Sequence, residues 1–596
     1  MTGSNPQSSG TEMPFRTIKL SIYIVLFAVV LMVFLPSVQN DFVDWDDYAF
    51  VSKNPHLSSI SWESLRWMAT TLYLGAWHPL TWLSHGVDLA LWGANPSPHR
   101  LMNILIHCAN ALLFCLLCSR LQDVWVERNP SRRTLPPESR LVAAVCAAVL
   151  FGVHPLRVES VVWISERKDV LCAFFFLSSL LAYLAYARRS PSQAANRYYY
   201  GSLSLYALAS LAKPMAMTFP LVLLITDYFP LYRLDKDRWR LCVREKVPFF
   251  LISAGCVAMN VAATWDASVP FSYVPPDMRI MNTFHSIVFY IRQSIVPINL
   301  LPLYQMDRGL DYFSWGFVLS SVVVLGISTI CAWAAVRGAR LWLAAWGYFL
   351  VTLAPASGLA MSFRHAMADR YTYLPTLALW LLVGLGLAYL WRMCSDVKWP
   401  RIARGALALC VLSVTAAYAA KTQEQTKIWR NTETLWTHML NNADYVPDLA
   451  YFAMGKILEG KGELDEAIRY YEFAFSLAPD NHKFRGRLAA ALAKKGSQER
   501  AVDLCRRLIE KEPNNPAAYL HMGRVYLELE RYDEALGSFQ KSLDVAPGYH
   551  YAAAMLVATH LKMNRPEMAR EVYAKHQLKE LRIAPDMDVE LRWKAQ

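Results

Sequence analysis

Charge is scarce over much of the first 420 residues of this 596-residue chain. The stretches 18–36, 101–119, 141–153, 170–187, 247–263, 316–334, 341–355, 374–391 and 402–420 are nearly free of it. Most approach the roughly 20 residues a helix needs to cross a hydrocarbon core, which excludes a water-soluble fold for this part. Past residue 421 no such run recurs. Cysteine is equally uninformative: of 11, only Cys505 lies in the polar tail, so no disulfide framework is implied. The Cys115/Cys118 pair lacks a second pair and sits among leucines, which argues for packing rather than a metal or redox site. No small-residue cleavage site follows the first apolar run, which leaves through Phe34, Leu35 and Pro36. It reads as a retained signal anchor.

The formal charge of +12 is not gathered into one patch, so nucleic acid is not expected as a partner. The basic residues sit in short connectors, 120–140, 188–197, 233–246, 337–340 and 392–404, and short basic loops stay in the cytoplasm. Threading the chain on that rule, with 198–212 and 216–230 as a further pair, predicts about eleven spans. The segment 282–300 carries His285, Arg292 and Gln293 among its apolar residues and is expected to be interfacial or re-entrant. An odd number of crossings puts the C-terminal part opposite the N-terminus, in the periplasm of a bacterial inner-membrane protein or the lumen of an endoplasmic reticulum.

The tail repeats itself. Pro479, Pro513 and Pro547 recur every 34 residues, as do Ala467, Ala501, Ala535 and Ala569. Gly455, Ala489 and Gly523 hold a small residue at the eighth position, and Tyr471, Phe539 and Tyr573 a large one at the twenty-fourth. This is the tetratricopeptide pattern, whose stacked helix pairs present a concave groove suited to a peptide or protein. The expected fold is all-α: a polytopic membrane helical bundle followed by an α-solenoid of repeats.

On this threading, polar residues gather on the outer face. The first outer loop holds Asp41, Asp44, Asp46 and Asp47, then Asn54, His78 and His85. The second holds His154, Arg157, Glu159, Glu166, Arg167, Lys168 and Asp169. Lys213 stands at the third outer turn, and Arg364, His365, Asp369, Arg370 and Tyr371 in the last outer loop. A carboxylate can take a proton from an acceptor hydroxyl. Arginine and lysine can stabilise the charge on a departing phosphate, and a lipid-linked phosphosugar supplies that leaving group at a membrane surface. Each element also has a plainer reading: a solvated acidic face, His-Pro pairs that start helices, and Arg167 and Lys168 as snorkelling anchors.

Val43-Asp44-Trp45-Asp46-Asp47 with Asn54, His154-Pro155 through Glu159 to Arg167-Lys168-Asp169, Lys213, and Asp369-Arg370-Tyr371-Thr372-Tyr373-Leu374-Pro375, joined to a repeat tail, resemble the GT-C-type membrane glycosyltransferases. Among these the chain is most similar to the transmembrane and tetratricopeptide-repeat-containing (TMTC) O-mannosyltransferases and their bacterial relatives. Two positions differ from the family pattern: Pro214 follows Lys213, and residue 369 is Asp. The resemblance implies inverting transfer of a sugar, typically mannose, from a polyprenyl or dolichyl phosphate to a Ser or Thr hydroxyl of a protein. It makes Asp46 or Asp47 the general base or the group that holds it, both expected to be partly hydrated. It places Arg167, Lys168, Lys213 and Arg370 against the lipid phosphate, with Asp44, His78, His154, Arg157, Glu159, Arg364 and Asp369 completing the donor site. No cofactor is certain; the acidic residues with His78 could bind a divalent cation or act without one.

The implied organisation is a cytoplasmic tail (1–17), a transmembrane catalytic domain (18–420), a linker helix (421–447), a repeat domain holding the acceptor (448–583) and a C-terminal tail (584–596). Two other classes compete: an envelope oligosaccharide ligase or polymerase, and a membrane-anchored repeat scaffold without catalysis.

Overall fold

The computed structural model describes residues 9–130, 135–189, 192–265, 274–305, 314–359 and 365–576. Arg364, the last expected repeat residues 577–583 and the tail 584–596 lie outside the described residues. The fold is all-α. Among the described residues the strands are Tyr304–Gln305 and His365–Met367, paired antiparallel. The chain divides into two compact units, Met1–Val43 with His56–Asn431 and Asp44–Pro55 with Thr432–Gln596.

In the first unit every expected span falls on a helix: Ser9–Phe34, Pro96–Arg128, Pro137–Gly152, Arg167–Ala187, Gln193–Ala212, Phe219–Tyr228, Val247–Thr264, Trp315–Val336, Arg340–Leu353, Leu377–Met393 and Pro400–Ile428. Fewer are membrane-length. Among the described residues six helices are long and apolar enough to cross, and a seventh forms if Pro137–Gly152 and Pro155–Val162, bent by 59°, make one span. Phe219–Tyr228 has 10 residues and Arg340–Leu353 has 14, about 15 and 21 Å at 1.5 Å per residue, so neither reaches across by itself. The Pro276–Ile295 helix buries Arg279, Asn282, Ser286 and Gln293 and is too polar to join them. The chain is thus a multi-pass membrane protein with a core of long apolar helices and several short ones.

Lipid-facing and buried helices separate by side-chain size. Pro400–Ile428 leaves Ile402, Leu409 and Leu412 exposed, an apolar surface that only a hydrocarbon solvent tolerates. Pro137–Gly152 instead buries Ala143, Ala144, Ala147 and Ala148. Against it Gly384 packs so closely that a Cβ there would lie 2.2 Å from the Ala143 carbonyl oxygen. Without a hydrophobic drive between helices in lipid, such small-residue contact is how they associate.

A separate ionic knot lies where the sequence reads only as a basic connector. Asp227 accepts from Tyr183 Oη at 2.8 Å and pairs with Lys246 and Arg233, and Arg233 also meets Glu245 at 2.9 Å. Every charge in it is answered internally, as burial of ions demands.

In the second unit antiparallel helix pairs stack from Asp448–Gly460 to Pro566–Lys575. The sequence periodicity has a direct steric meaning. A Cβ on Gly455 would lie 2.6 Å from the Tyr471 ring, and one on Gly523 2.4 Å from the Phe539 ring. Each aromatic follows its glycine by sixteen residues and fills the space the missing Cβ leaves. In the repeat between them the same pair is Ala489 and Cys505, both buried: a larger first residue is matched by a smaller second. The acidic loop belongs to this unit as well. Asp44 accepts an ion pair from Lys456 at 3.0 Å, its N–H donates to Thr432 Oγ1 at 2.9 Å, and Trp45 packs on Trp436 with ring centroids 5.2 Å apart.

Candidate functional site

Three segments of the membrane unit build a buried ionic cluster. The first is 158–169, where the short Val158–Val162 helix and the Ile164–Glu166 turn lead into the Arg167–Ala187 helix. The second is the Lys213 turn, where Pro214 ends the preceding helix because it has no N–H to continue it. The third is the Asp369–Thr372 turn, anchored by the two-residue ladder in which Tyr304 pairs with Met367.

Glu166 is the hub. Its carboxylate takes Lys168 at 3.0 Å, Lys213 at 3.2 Å and Arg370 Nε at 3.5 Å. Lys213 also meets Asp169 Oδ1 at 2.6 Å, and Asp169 accepts from Ser160 Oγ at 3.0 Å. Glu159 pairs with the Arg370 guanidinium and accepts the Arg370 N–H at 2.8 Å. Asp369 accepts from Tyr304 Oη at 3.0 Å. Residues 159, 166, 169, 213 and 369 are all at most 8% exposed, so their charges act on one another with little screening by water. Burial opposes the Lys213 charge, but Asp169 and Glu166 outweigh it and hold the ammonium above its ordinary range. Burial, with the Glu159 charge next, pushes the Asp369 carboxyl well above the usual range. His78, buried and under the field of Lys168 and Lys213, is pushed down to about 3; it is neutral at physiological pH.

Other expected site residues go elsewhere. Arg167, between two members of the cluster, turns away to pair with Asp88 and to donate to Asn103 Oδ1 at 2.7 Å, the His99 carbonyl at 2.6 Å and Ser84 Oγ at 3.0 Å. Arg157 donates to Thr372 Oγ1 at 3.1 Å and Thr376 Oγ1 at 3.0 Å and lies over the Phe151 and Tyr373 rings. His154 caps the turn it starts: its Nδ1 accepts the Leu156 N–H at 3.2 Å, with Nε2 3.2 Å from the Ser294 carbonyl. Asp44, Asp46 and Asp47 lie in the other unit. Asp46 is half-buried, but Asp47 is fully buried, which corrects the expectation that both are hydrated. Asp47 stands at the start of the helical turn Tyr48–Ser52, whose Phe50 and Val51 are buried with it.

Sequence reasoning missed Tyr304, Ser160 and Asp88. A two-residue strand leaves no periodicity to read, and a lone Ser or Asp in an apolar segment carries no signal until its partner is known.

An ionic cluster buried in a multi-pass bundle, in a chain that also carries a stack of helix-pair repeats, marks a membrane protein with a polar site inside its bundle. Tetratricopeptide-repeat family models match residues 452–516 and 499–537. The chain is similar to the protein O-mannosyl-transferases of the TMTC type over most of its length. Human Protein O-mannosyl-transferase TMTC1 is 24% identical over 499 residues, covering 74% of this chain and 53% of the relative. Human TMTC4 is 24% identical over 500 residues, covering 75% and 65%. Human TMTC3 is 20% identical over 568 residues, covering 84% and 57%. The chain thus spans about half to two thirds of the length of these relatives. A solved MamA structure from Desulfovibrio magneticus RS-1 overlaps 26% of this chain and 84% of its own, at 18% identity and a TM-score of 0.19.

Proposed function

We propose that this protein is an inverting glycosyltransferase of the GT-C type that moves a hexose, mannose by its similarity to the O-mannosyl-transferases, from a polyprenyl-phosphate donor to a protein hydroxyl on the extracytoplasmic face. The observation that carries the reading is the convergence of Lys168, Lys213 and Arg370 on the single carboxylate of Glu166. Ionisable groups inside a membrane bundle are costly and belong by default to function. Three cations on one anion are also what a lipid phosphate needs.

In this reading Glu166 holds the cations in place until a donor arrives, and the phosphate oxygens then take over the hydrogen bonds that Glu166 accepts. Lys168, Lys213 and Arg370 neutralise the charge that grows on the departing phosphate, and Glu159 keeps the Arg370 guanidinium in orientation. His78, neutral, adds a polar contact without adding charge. Asp46, half-buried, takes the proton of the acceptor hydroxyl, and Asp47, fully buried, positions it. The acidic loop shares its unit with the repeats, which supports acceptor recognition by the repeat groove.

The test is transfer from a polyprenyl-phosphate mannose donor to a protein acceptor by the purified full chain. A general base contributes about 10² to 10⁴ in rate, so Asp46→Asn loses at least about two orders of magnitude with expression and detergent-solubilised size unchanged, and Asp47→Asn loses less. Near-normal rates in both variants refute the assignment. An unaltered response to Lys213→Met and Arg370→Met refutes the phosphate reading.

A further inference from the structure

Outside the Glu166 cluster, three buried groups converge at the start of the Pro96–Arg128 helix. His85 and Asp88 stand three residues apart on the Pro79–Trp92 helix, hence on one face of it. His99 is in the first turn of the next helix, across the short link at Gly93. One ligand-type atom from each lies within 4.8 Å of the other two, and the three residues are 0%, 3% and 0% exposed. The His85 and His99 rings lie 6.0 Å apart, near parallel.

The hydrogen bonding does not close. Both ring nitrogens of His85 are buried without a hydrogen-bond partner, and each such orphan costs about 1–3 kcal/mol. His99 Nε2 sits 3.2 Å from the Gly93 carbonyl oxygen. A carbonyl only accepts, so this nitrogen carries the proton, and in the neutral ring Nδ1 presents a lone pair. That lone pair faces Asp88 Oδ2 at 3.4 Å, one acceptor against another. A backbone carbonyl fixing the outer nitrogen so that the inner one can ligate is the usual support of a metal-bound histidine. Arg167, paired with Asp88, holds the carboxylate in place in the same manner.

We propose that His85, Asp88 and His99 bind a divalent transition-metal cation of the zinc class, with the fourth position left to water or an anion. Two imidazoles and one carboxylate select such an ion over magnesium or calcium, which take oxygen ligands. The cation satisfies the His85 lone pair and separates His99 from Asp88. The site is short-range in sequence, contained in residues 85–99, and distinct from the cations that meet Glu166. Arg167 links the two through the chain, because its neighbours Glu166 and Lys168 belong to that cluster. The proposal does not depend on the glycosyl-transfer reading.

The test uses the full chain, purified through a tag without histidine, stripped with a chelator and loaded with Zn²⁺ or Co²⁺. Elemental analysis is expected to give about one cation per chain, as a site with three protein ligands holds, and Co²⁺ to give the ligand-field absorption of a four-coordinate nitrogen–oxygen site. His85→Phe, which keeps a ring at this buried position and needs no hydrogen bond, loses both signals while retaining the monodisperse detergent profile. His99→Gln serves as a second variant should His85→Phe not fold. A chain that takes up no metal, or variants that bind as much as the parent, overturns the proposal; in the first case a proton shared by Asp88 and His99 relieves their contact.

Discussion

Replacing Lys213 by methionine removes the ammonium and keeps the length of the side chain. Two carboxylates lose a partner: Asp169, at 2.6 Å, and Glu166, at 3.2 Å. Their fates differ. Glu166 retains Lys168 at 3.0 Å and Arg370 at 3.5 Å, whereas Asp169 is left with the neutral Ser160 hydroxyl at 3.0 Å and the like-charged Glu166 carboxylate. Breaking a buried pair by removing one partner costs about 3–5 kcal/mol, and the surviving contacts of Glu166 put Lys213→Met at the lower end of that range. The damage sits at Asp169, so Asp169→Asn in the same chain recovers most of it, giving a coupling of about 1–3 kcal/mol, as neighbours in one network show. Equilibrium unfolding of the four members of the cycle in mixed micelles measures both quantities. If the proposed function holds, activity follows a different course: the double variant regains stability and not transfer, because a donor phosphate would still lack a cation. A Lys213→Met chain within about 0.5 kcal/mol of the parent, the range of a surface change, refutes the buried-network argument, as does a double variant no more stable than the single.

Three further outcomes are expected. His78 is held at about 3 in the fold against an ordinary 6.5, so the unfolded chain binds the proton first and the fold loses stability as pH falls from 6.5 towards 3. His78→Gln flattens that acid limb, and an unchanged pH profile of unfolding shows that His78 is not kept neutral. Gly523→Ala places a methyl 2.4 Å from the Phe539 ring, itself fully buried; overpacking of this kind costs about 1–3 kcal/mol. It accelerates hydrogen exchange in residues 516–545, and Phe539→Cys, copying the Ala489/Cys505 pair, restores protection. For the placement of the repeats, Glu499→Cys, at an exposed position, in a chain lacking the exposed Cys410, reacts with an impermeant thiol reagent in intact cells or spheroplasts; labelling only after permeabilisation places the repeats in the cytoplasm.

Periodic and long-range compositional signals were legible in the chain itself. Apolar runs near membrane length mark helices by the solvent they require, and all of those predicted are helices in the structure. A 34-residue spacing in two residue classes specifies the repeats, because a glycine and an aromatic sixteen positions apart must meet wherever two helices of a pair close on each other. The chemistry of the charged loops was visible as residue types, since Glu166, Lys168, Lys213 and Arg370 announce their charge. Their partners were not. Adjacent residues of the turn 164–169 point different ways, so that Lys168 joins Glu166 while Arg167 leaves for Asp88, and only the packing of Pro79–Trp92 and Pro96–Arg128 against that turn decides which. Likewise Tyr304 reaches Asp369 across 65 residues, Asp47 is fully buried while Asp46 is half-buried, and residues 44–55 join the repeat unit despite following the first span. Burial and partnership are properties of three-dimensional neighbours, and a linear string fixes neighbours only where a repeat or a helical period brings them back at a constant interval.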